Sequence, residues 1–288
     1  MPEVTSSVGL LNSMTNQTSA SYIHGFSIPE RTRLVKQAAV LAPAVFSTLD
    51  LSFHEKILEI GCGVGAQTKQ LLHHWPHLNI HSIDLSPKHL ASAADYLRDE
   101  IANNQAHLTR ANAEHLPFDT GVFDSALTIW VLEHVQHPER ILQEIKRVLK
   151  PCGEVILSEV DNATFRFFPE NPVIHDWWDK FNAFQQAGGA DPFIGQRLKE
   201  LARKTGFSNI KIKPIHVVSS RREPERRLEL LHYVRDLLLS GSENMKQAGY
   251  VDANDEQLLQ DEFKRLESQT EIDFQYIAVR LTATKSKK

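Results

Sequence analysis

Cysteine is scarce: two in 288 residues, too few for a disulfide framework. Excess positive charge is missing as well. Thirty-two Lys and Arg stand against 36 Asp and Glu, a formal net of −4, and this excludes the basic field that gathers DNA or RNA. No apolar run is long enough to span a bilayer, and the longest is interrupted by Pro43. The 14 histidines show no HExxH spacing and the cysteines no CxxC, so no metal is indicated. Residues 1–21, "MPEVTSSVGLLNSMTNQTSAS", lack a basic start followed by an apolar stretch; they read as a flexible leader, not a signal peptide. What is left is a cytoplasmic chain, 41% hydrophobic, with material for one large core or a core and a cap.

From Lys56 short apolar runs alternate with helical spacing. The expected strands are 56–60, 79–84, 106–111, 123–130 and 153–160. Between them helices are expected at about 66–74, at 87–103 behind the Ser86 cap and Pro87, and at Pro138–Lys150 with apolar residues at 141, 142, 145, 148 and 149. Such alternation predicts right-handed crossovers and an α/β fold with a doubly wound, mainly parallel sheet. Its flanks break the rhythm. A helical segment at 22–50 precedes it. An aromatic-rich stretch at 164–184 and a helix at 194–207 follow, then a strand at 209–220, a charged helical block at about 224–268 and a closing strand at 273–284. The chain therefore divides into the leader, a helical lid (22–50), a cofactor-binding core (51–161), a helical cap (162–208) and C-terminal strands carrying a helical insertion (209–288).

The stretch "KILEIGCGVGAQTKQLL" joins the first strand to the first crossover helix. Gly61, Gly63 and Gly65 lack Cβ atoms, so the backbone can turn sharply and a ligand can lie against it. Asp84 ends the second strand, where a carboxylate can accept both hydroxyl protons of a ribose. A nucleoside is expected. The turn by itself also satisfies a loose dinucleotide pattern, but Glu59 stands two residues before the first glycine and no Lys or Arg lies within the turn, which suits no pyrophosphate.

In order, "LEIGCGVG", "SIDLSP", "NAEHLPF", "VFDSALTIWVLEHV" and "RVLKPCGEVILSE" resemble the motifs of class I S-adenosylmethionine-dependent methyltransferases, of the small-molecule type related to ubiquinone and menaquinone methylases. The similarity covers roughly 56–160. The segments "YIHGFSIPERTRL" and "IGQRL" resemble a natural-product subgroup with an N-terminal lid. It implies a Rossmann-like, seven-stranded sheet and S-adenosyl-L-methionine as cofactor, with S-adenosyl-L-homocysteine as product. It also implies roles. Glu59, Gly61, Cys62, Gly63 and Gln67 would run beneath the methionine part; Asp84 would hold the ribose and Leu85 flank the adenine. Asn112, Ala113 and Glu114 would meet the adenine edge, and Ile129, Trp130 and Tyr22 the methionyl end. Asn112 stands where the family commonly has Asp, and Cys152 where it commonly has the first Gly of a tight turn; Cys152 is read as structural.

Methyl transfer from a sulfonium is an in-line displacement, for which a protein supplies alignment, exclusion of water and sometimes a proton acceptor. Candidate bases are His134, His24 in the lid and Glu159 at the end of the fifth strand. Each has a plainer reading as a cap, a hinge neighbour or a hydrogen-bond partner of the lid. Candidate acceptor contacts are Tyr22, Phe26, Trp130, His134, Phe168, Trp178 and Arg197, on the side where the lid, "WVLEHV" and the aromatic stretch converge. The aromatics at 177, 181 and 184 have helical spacing, the commoner mark of core packing. The partner expected is a small methyl acceptor with an apolar or aromatic body, with no nucleic acid and no membrane. The lid and the C-terminal insertion also offer surfaces for a homodimer or higher homo-oligomer. A binding protein of the same fold without methyl transfer, regulatory or pericyclase-like, is the alternative, and a nicotinamide oxidoreductase a weaker one, since no Tyr-Lys or His-Asp pair follows the cofactor motifs.

Overall fold

Four of the five residues of KILEI are buried, and this run is the hinge of the architecture. The computed structural model describes residues 28–287. Helix α1 (Ile28–Phe46) is followed by β1 (Lys56–Ile60), α2 (Ala66–His74), β2 (Asn79–Asp84), α3 (Pro87–Tyr96), α4 (Arg98–Ala102), β3 (Ala106–Arg110) and β4 (Phe123–Ile129). Then come α5 (Pro138–Val148), β5 (Leu149–Glu159), β6 (Arg166–Phe168), α6 (Pro172–Ala187), α7 (Leu198–Lys204) and β7 (Ser208–Ser219). The chain closes with α8 (Pro224–Ser240), α9 (Ser242–Gln247), α10 (Ala253–Glu267) and β8 (Asp273–Thr284).

Strands β3, β2, β1, β4 and β5 lie side by side in parallel. Antiparallel β8 follows, with β5 and β6 along one edge and β7 along the other. The chain builds outward from β1 through β2 to β3, then crosses to β4 and β5 on the other side, so the strand order reverses between β1 and β4. Ligands in open α/β sheets bind at such a point, beyond the carboxyl ends of the strands. Eight strands stand where seven were expected. The extra one is β6, three residues of the aromatic stretch that pair with Asp273–Gln275 of β8.

The crossover helices form for local reasons. Helix α5 has Pro138 in its first turn, Lys146 and Arg147 in its last, and a buried stripe at Ile141, Leu142, Ile145 and Val148. Helix α3 is capped by Ser86 Oγ, which accepts from the His89 amide. The single helix expected over 87–103 is broken at Leu97: Lys69 Nζ donates to the Tyr96 carbonyl at 3.1 Å, and the fully buried Leu97 turns inward beneath Gly65.

Three further helices, α8, α9 and α10, replace the one charged block and pack with α6 into a cap. Asp252 and Asp255 form a reciprocal capping box at the start of α10. Arg227 of α8 donates to the Leu266 and Glu267 carbonyls at its end. Helix α1 is moored at its base by Arg280 of β8, which is buried among Val45 O, Thr48 Oγ1 and Ser158 Oγ. Burial lowers that guanidinium to about 10, so it stays charged at neutral pH.

Candidate active site

The turn after β1 is held by its own backbone. Cys62 N–H donates to Ile83 O at 3.0 Å, and Gly65 N–H to Cys62 O at 2.9 Å. Gly61, Gly63 and Gly65 all have positive φ, at 69°, 54° and 79°. Packing demands two of them: a Cβ on Gly61 would stand 2.7 Å from Val131 Cγ2, and one on Gly65 would stand 2.7 Å from Leu97 Cδ1. At Gly63 a Cβ would meet nothing within 4 Å. That side of the turn opens into a cavity of about 2180 Å³.

Asp84, at the carboxyl end of the neighbouring β2, faces the turn. One carboxylate oxygen accepts from Gly63 N–H at 2.9 Å and the other from Ser86 N–H at 2.8 Å. Oδ1 also lies 3.5 Å from His89 Nδ1, Oδ2 keeps a second lone pair, and the residue lines the cavity beside the exposed Leu85. Asn112 curls into an Asx turn, its Oδ1 accepting from Glu114 N–H at 2.9 Å. It lines the cavity with Ala113 and Glu114, whose carboxylate pairs with Arg140. Gln67 lines it too, and its buried Oε1 has no partner among the described residues. Cys62 is buried at the rim, where burial and the nearby Glu59 and Asp84 push its thiol up.

Glu59 is a correction. It does not reach the cavity: its carboxylate accepts from Thr68 Oγ1 at 2.5 Å and Ser82 Oγ at 2.7 Å, buried between β1, α2 and β2. Burial raises its pKa. It braces the turn from behind.

At the end of β4 the chain turns through Trp130, a non-glycine residue at φ 56°, then through a 3-10 turn over Leu132–His134. Backbone strain of this kind persists only where the surroundings hold it. Glu159 is what holds it. Fully buried, it accepts from Thr128 Oγ1 at 2.6 Å and from the Val131 and Leu132 amides, each at 3.0 Å. Burial lifts its pKa to about 8. This overturns Glu159 as a candidate base, since its oxygens are spent on the turn and it does not line the cavity.

The turn presents Trp130, Glu133 and His134 to the cavity, next to Ile129. Trp130 Nε1 is buried with no partner among the described residues. His134 Nε2 lies 3.6 Å from Glu133, and burial with the nearby Arg33 lowers its pKa to about 4, so the ring is neutral and weakly basic. Glu133 escaped the sequence reading. It is buried, lines the cavity, and burial raises its pKa to about 8 against the opposing pull of Gln185 and Arg33. The signal was present: an acid inside "IWVLEHV" is costly to bury unless it has a task.

Beyond that turn the cavity continues into an aromatic lobe. Phe165 stacks on Trp178 at 4.2 Å, and Trp178 on Phe181 at 5.6 Å. Tyr233, Phe274 and Tyr276 close its far side. Trp178 lines this lobe, with its indole N–H bound to Asn162 O at 3.0 Å. Two expectations fail. Phe168 is about half exposed, because β6 alternates and buries Phe167 instead. Arg197 pairs with Asp191 at 2.5 Å on the surface, away from the cavity. Tyr22, His24 and Phe26 lie outside the described residues. From α1, Arg33, Leu34 and Gln37 line the mouth, Arg33 bonded to Glu30 and Gln37.

Residues 58–157 match the family model described as "Methyltransferase domain". Among curated proteins, the demethylmenaquinone methyltransferase of Lactobacillus johnsonii is 28% identical over 190 residues, 60% of this chain and 75% of that protein. The malonyl-[acyl-carrier protein] O-methyltransferase of a Paenibacillus strain is 27% identical over 54% of this chain, which spans about half of that protein, 56%. Among solved structures, the phosphoethanolamine N-methyltransferase 2 of Haemonchus contortus, with S-adenosylhomocysteine bound, aligns with a TM-score of 0.56 at 17% identity. That alignment covers 90% of this chain and 57% of the other, and shows the shared fold. The core of the chain is a methyltransferase domain. These relatives and structural neighbours are methyltransferases, and the solved neighbour carries S-adenosylhomocysteine. No helix among the described residues is long and apolar enough to cross a membrane.

Proposed function

We propose that the chain transfers a methyl group from S-adenosylmethionine to a small metabolite with an aromatic or apolar body. One observation carries this reading: a single cavity runs from the open face of Gly63, past Asp84 and Trp130, into the aromatic lobe. A nucleoside and an acceptor can therefore meet within it.

The residues fit the cofactor. The carboxylate of Asp84, with lone-pair capacity left beyond its two amide bonds, suits ribose hydroxyls. The unpartnered Gln67 Oε1 and Trp130 Nε1 supply an acceptor and a donor of the kinds an amino-acid end requires. Bound there, the sulfonium supplies an already activated methyl group. The chain's task is then to bind, to align and to keep water out, and alignment alone is worth roughly 7–11 kcal/mol. Trp130 and His134 stand at the junction of the two lobes, where the acceptor atom must be aimed. His134, neutral at physiological pH, can take up a proton only weakly. It serves better as a hydrogen-bond partner than as a strong base. That the relative from Lactobacillus johnsonii is named for a demethylated quinone agrees with an aromatic acceptor. We place the protein in the cytoplasm: Cys152 is a free, exposed thiol, which suits a reducing compartment.

The test is incubation with methyl-labelled S-adenosylmethionine and a fractionated extract of apolar metabolites. Label in an acceptor, with stoichiometric S-adenosylhomocysteine, is the expected result. Tight cofactor binding without any transfer would leave a binding protein of the same fold.

A further inference from the structure

Among the described residues, the aromatic lobe contains a buried polar pair that is incompletely satisfied. Glu133, on the turn after β4, and Gln185, on α6, are 52 residues apart and meet inside it. Gln185 Nε2 donates to Glu133 Oε2 at 3.4 Å. Both side chains are buried, at 7% and 5% exposure, and both line the cavity. Gln185 Oε1 is buried with no partner among the described residues. An amide oxygen left unsatisfied in an apolar wall is costly unless something in the cavity donates to it. Of the nearby polar groups, Tyr276 OH donates to Asn162 Oδ1 at 3.0 Å, Asn162 Nδ2 to Asn182 Oδ1 at 2.7 Å, and Arg33 binds Glu30 through two nitrogens, while His134 Nε2 stands 3.6 Å from Glu133 Oε1, on the side away from Gln185 Nε2.

We propose that Glu133 and Gln185 form a receptor for a neutral hydroxyl group on the methyl acceptor. A hydroxyl is a donor and an acceptor at once. Its proton goes to Gln185 Oε1, and its oxygen receives the hydrogen of the Glu133 carboxyl. Burial keeps that carboxyl protonated at neutral pH. An anionic group is matched less well, since among the described residues that line this end the guanidinium of Arg33 is paired with Glu30. The acceptor class is then a hydroxylated aromatic or alicyclic compound rather than an aromatic acid or a phosphate ester. The inference deepens the methyltransferase reading and rests on it for the word acceptor; the binding site itself does not depend on it.

The experiment uses three probes of one shape, 2-naphthol, naphthalene and 2-naphthoate, titrated by tryptophan fluorescence with saturating S-adenosylhomocysteine and without it. Wild type should bind 2-naphthol about tenfold more tightly than naphthalene, the effect of one or two hydrogen bonds, and 2-naphthoate most weakly. Gln185→Leu should bring 2-naphthol down to the level of naphthalene while leaving S-adenosylhomocysteine affinity unchanged. Glu133→Gln, which can still donate, should keep most of the preference. Equal affinity for 2-naphthol and naphthalene in wild type, binding of neither, a preference for 2-naphthoate, or an undiminished preference in Gln185→Leu would each overturn the proposal. Failure of S-adenosylhomocysteine to bind would instead sink the methyltransferase reading, and the naphthol comparison without it would still stand.

Discussion

The two lobes of the cavity are made of different material. The cofactor lobe is mostly backbone: strand ends, a turn at three positive φ angles, amides gathered by Asp84, and an Asx turn at Asn112. The acceptor lobe is mostly side chain, delivered by α1, the turn after β4, α6, α8 and β8. A backbone site is specified by short contiguous stretches and varies little when side chains change. A side-chain site is specified by elements far apart in sequence, and one substitution can redirect it.

The largest effect that separates the lobes should come from Asp84→Asn. Losing charge-assisted hydrogen bonds to a ribose, at roughly 1.5–3 kcal/mol each, should weaken S-adenosylhomocysteine binding at least about 100-fold in calorimetry. Binding of 2-naphthol should hardly change. A parallel loss of both would mean that the lobes do not act separately.

Two neighbouring glycines sharpen the comparison further. Gly61→Ala drives a methyl into Val131 at a left-handed position, and should cost about 2–4 kcal/mol of folding stability in urea melts. Gly63→Ala suffers only the conformational cost, about 1–2 kcal/mol, yet should weaken cofactor binding about tenfold or more, because its methyl occupies the open face of the turn. If Gly63→Ala kept full affinity, the cofactor would not lie against that face.

The buried acids behind and beside Trp130 give a pH signature. Glu133 and Glu159 keep their protons in the folded state up to about pH 8, against an ordinary value of 4.5. Between those values the folded chain binds more protons than the unfolded one, so stability falls as pH rises through the window. Glu133→Gln removes one of the two groups, and the fall between about pH 6 and pH 8 should become shallower, on the order of 1 kcal/mol per pH unit. An unchanged slope in denaturant melts across that range would contradict the buried, protonated Glu133.

The smallest effect is expected from Arg197→Ala and Phe168→Ala. Both lie outside the cavity, and the Arg197–Asp191 pair is a surface ion pair worth about 0–1 kcal/mol. Neither should alter the binding of cofactor or of 2-naphthol. A marked loss of 2-naphthol binding in either variant would show that the acceptor lobe extends further toward the surface.

Much of the cofactor lobe was legible in the residues alone. The apolar run at 57–60, alternate glycines, Ser86 before Pro87, and an acid ending the second strand are local features, each with one economical structure. Glu59 was misplaced because position in the turn says nothing about which face of β1 a side chain takes; it took the Thr68–Ser82 side. Glu159 was misplaced because the amides it binds belong to another strand's end, 27 and 28 residues away. Phe168 went astray by one residue of strand alternation, the smallest error that reverses a face. Gln185 gave no signal at all. A glutamine in an amphipathic helix looks solvated until the partner that buries it is known.

On the proposed function, the turn at Gly61–Gly65 cradles a methionine nucleoside without a phosphate. It is tested most directly by calorimetric titration of the intact chain with S-adenosylhomocysteine, with NAD as the control. Micromolar binding of the sulfur nucleoside and none of the dinucleotide is the expected result. Binding of NAD alone would contradict it.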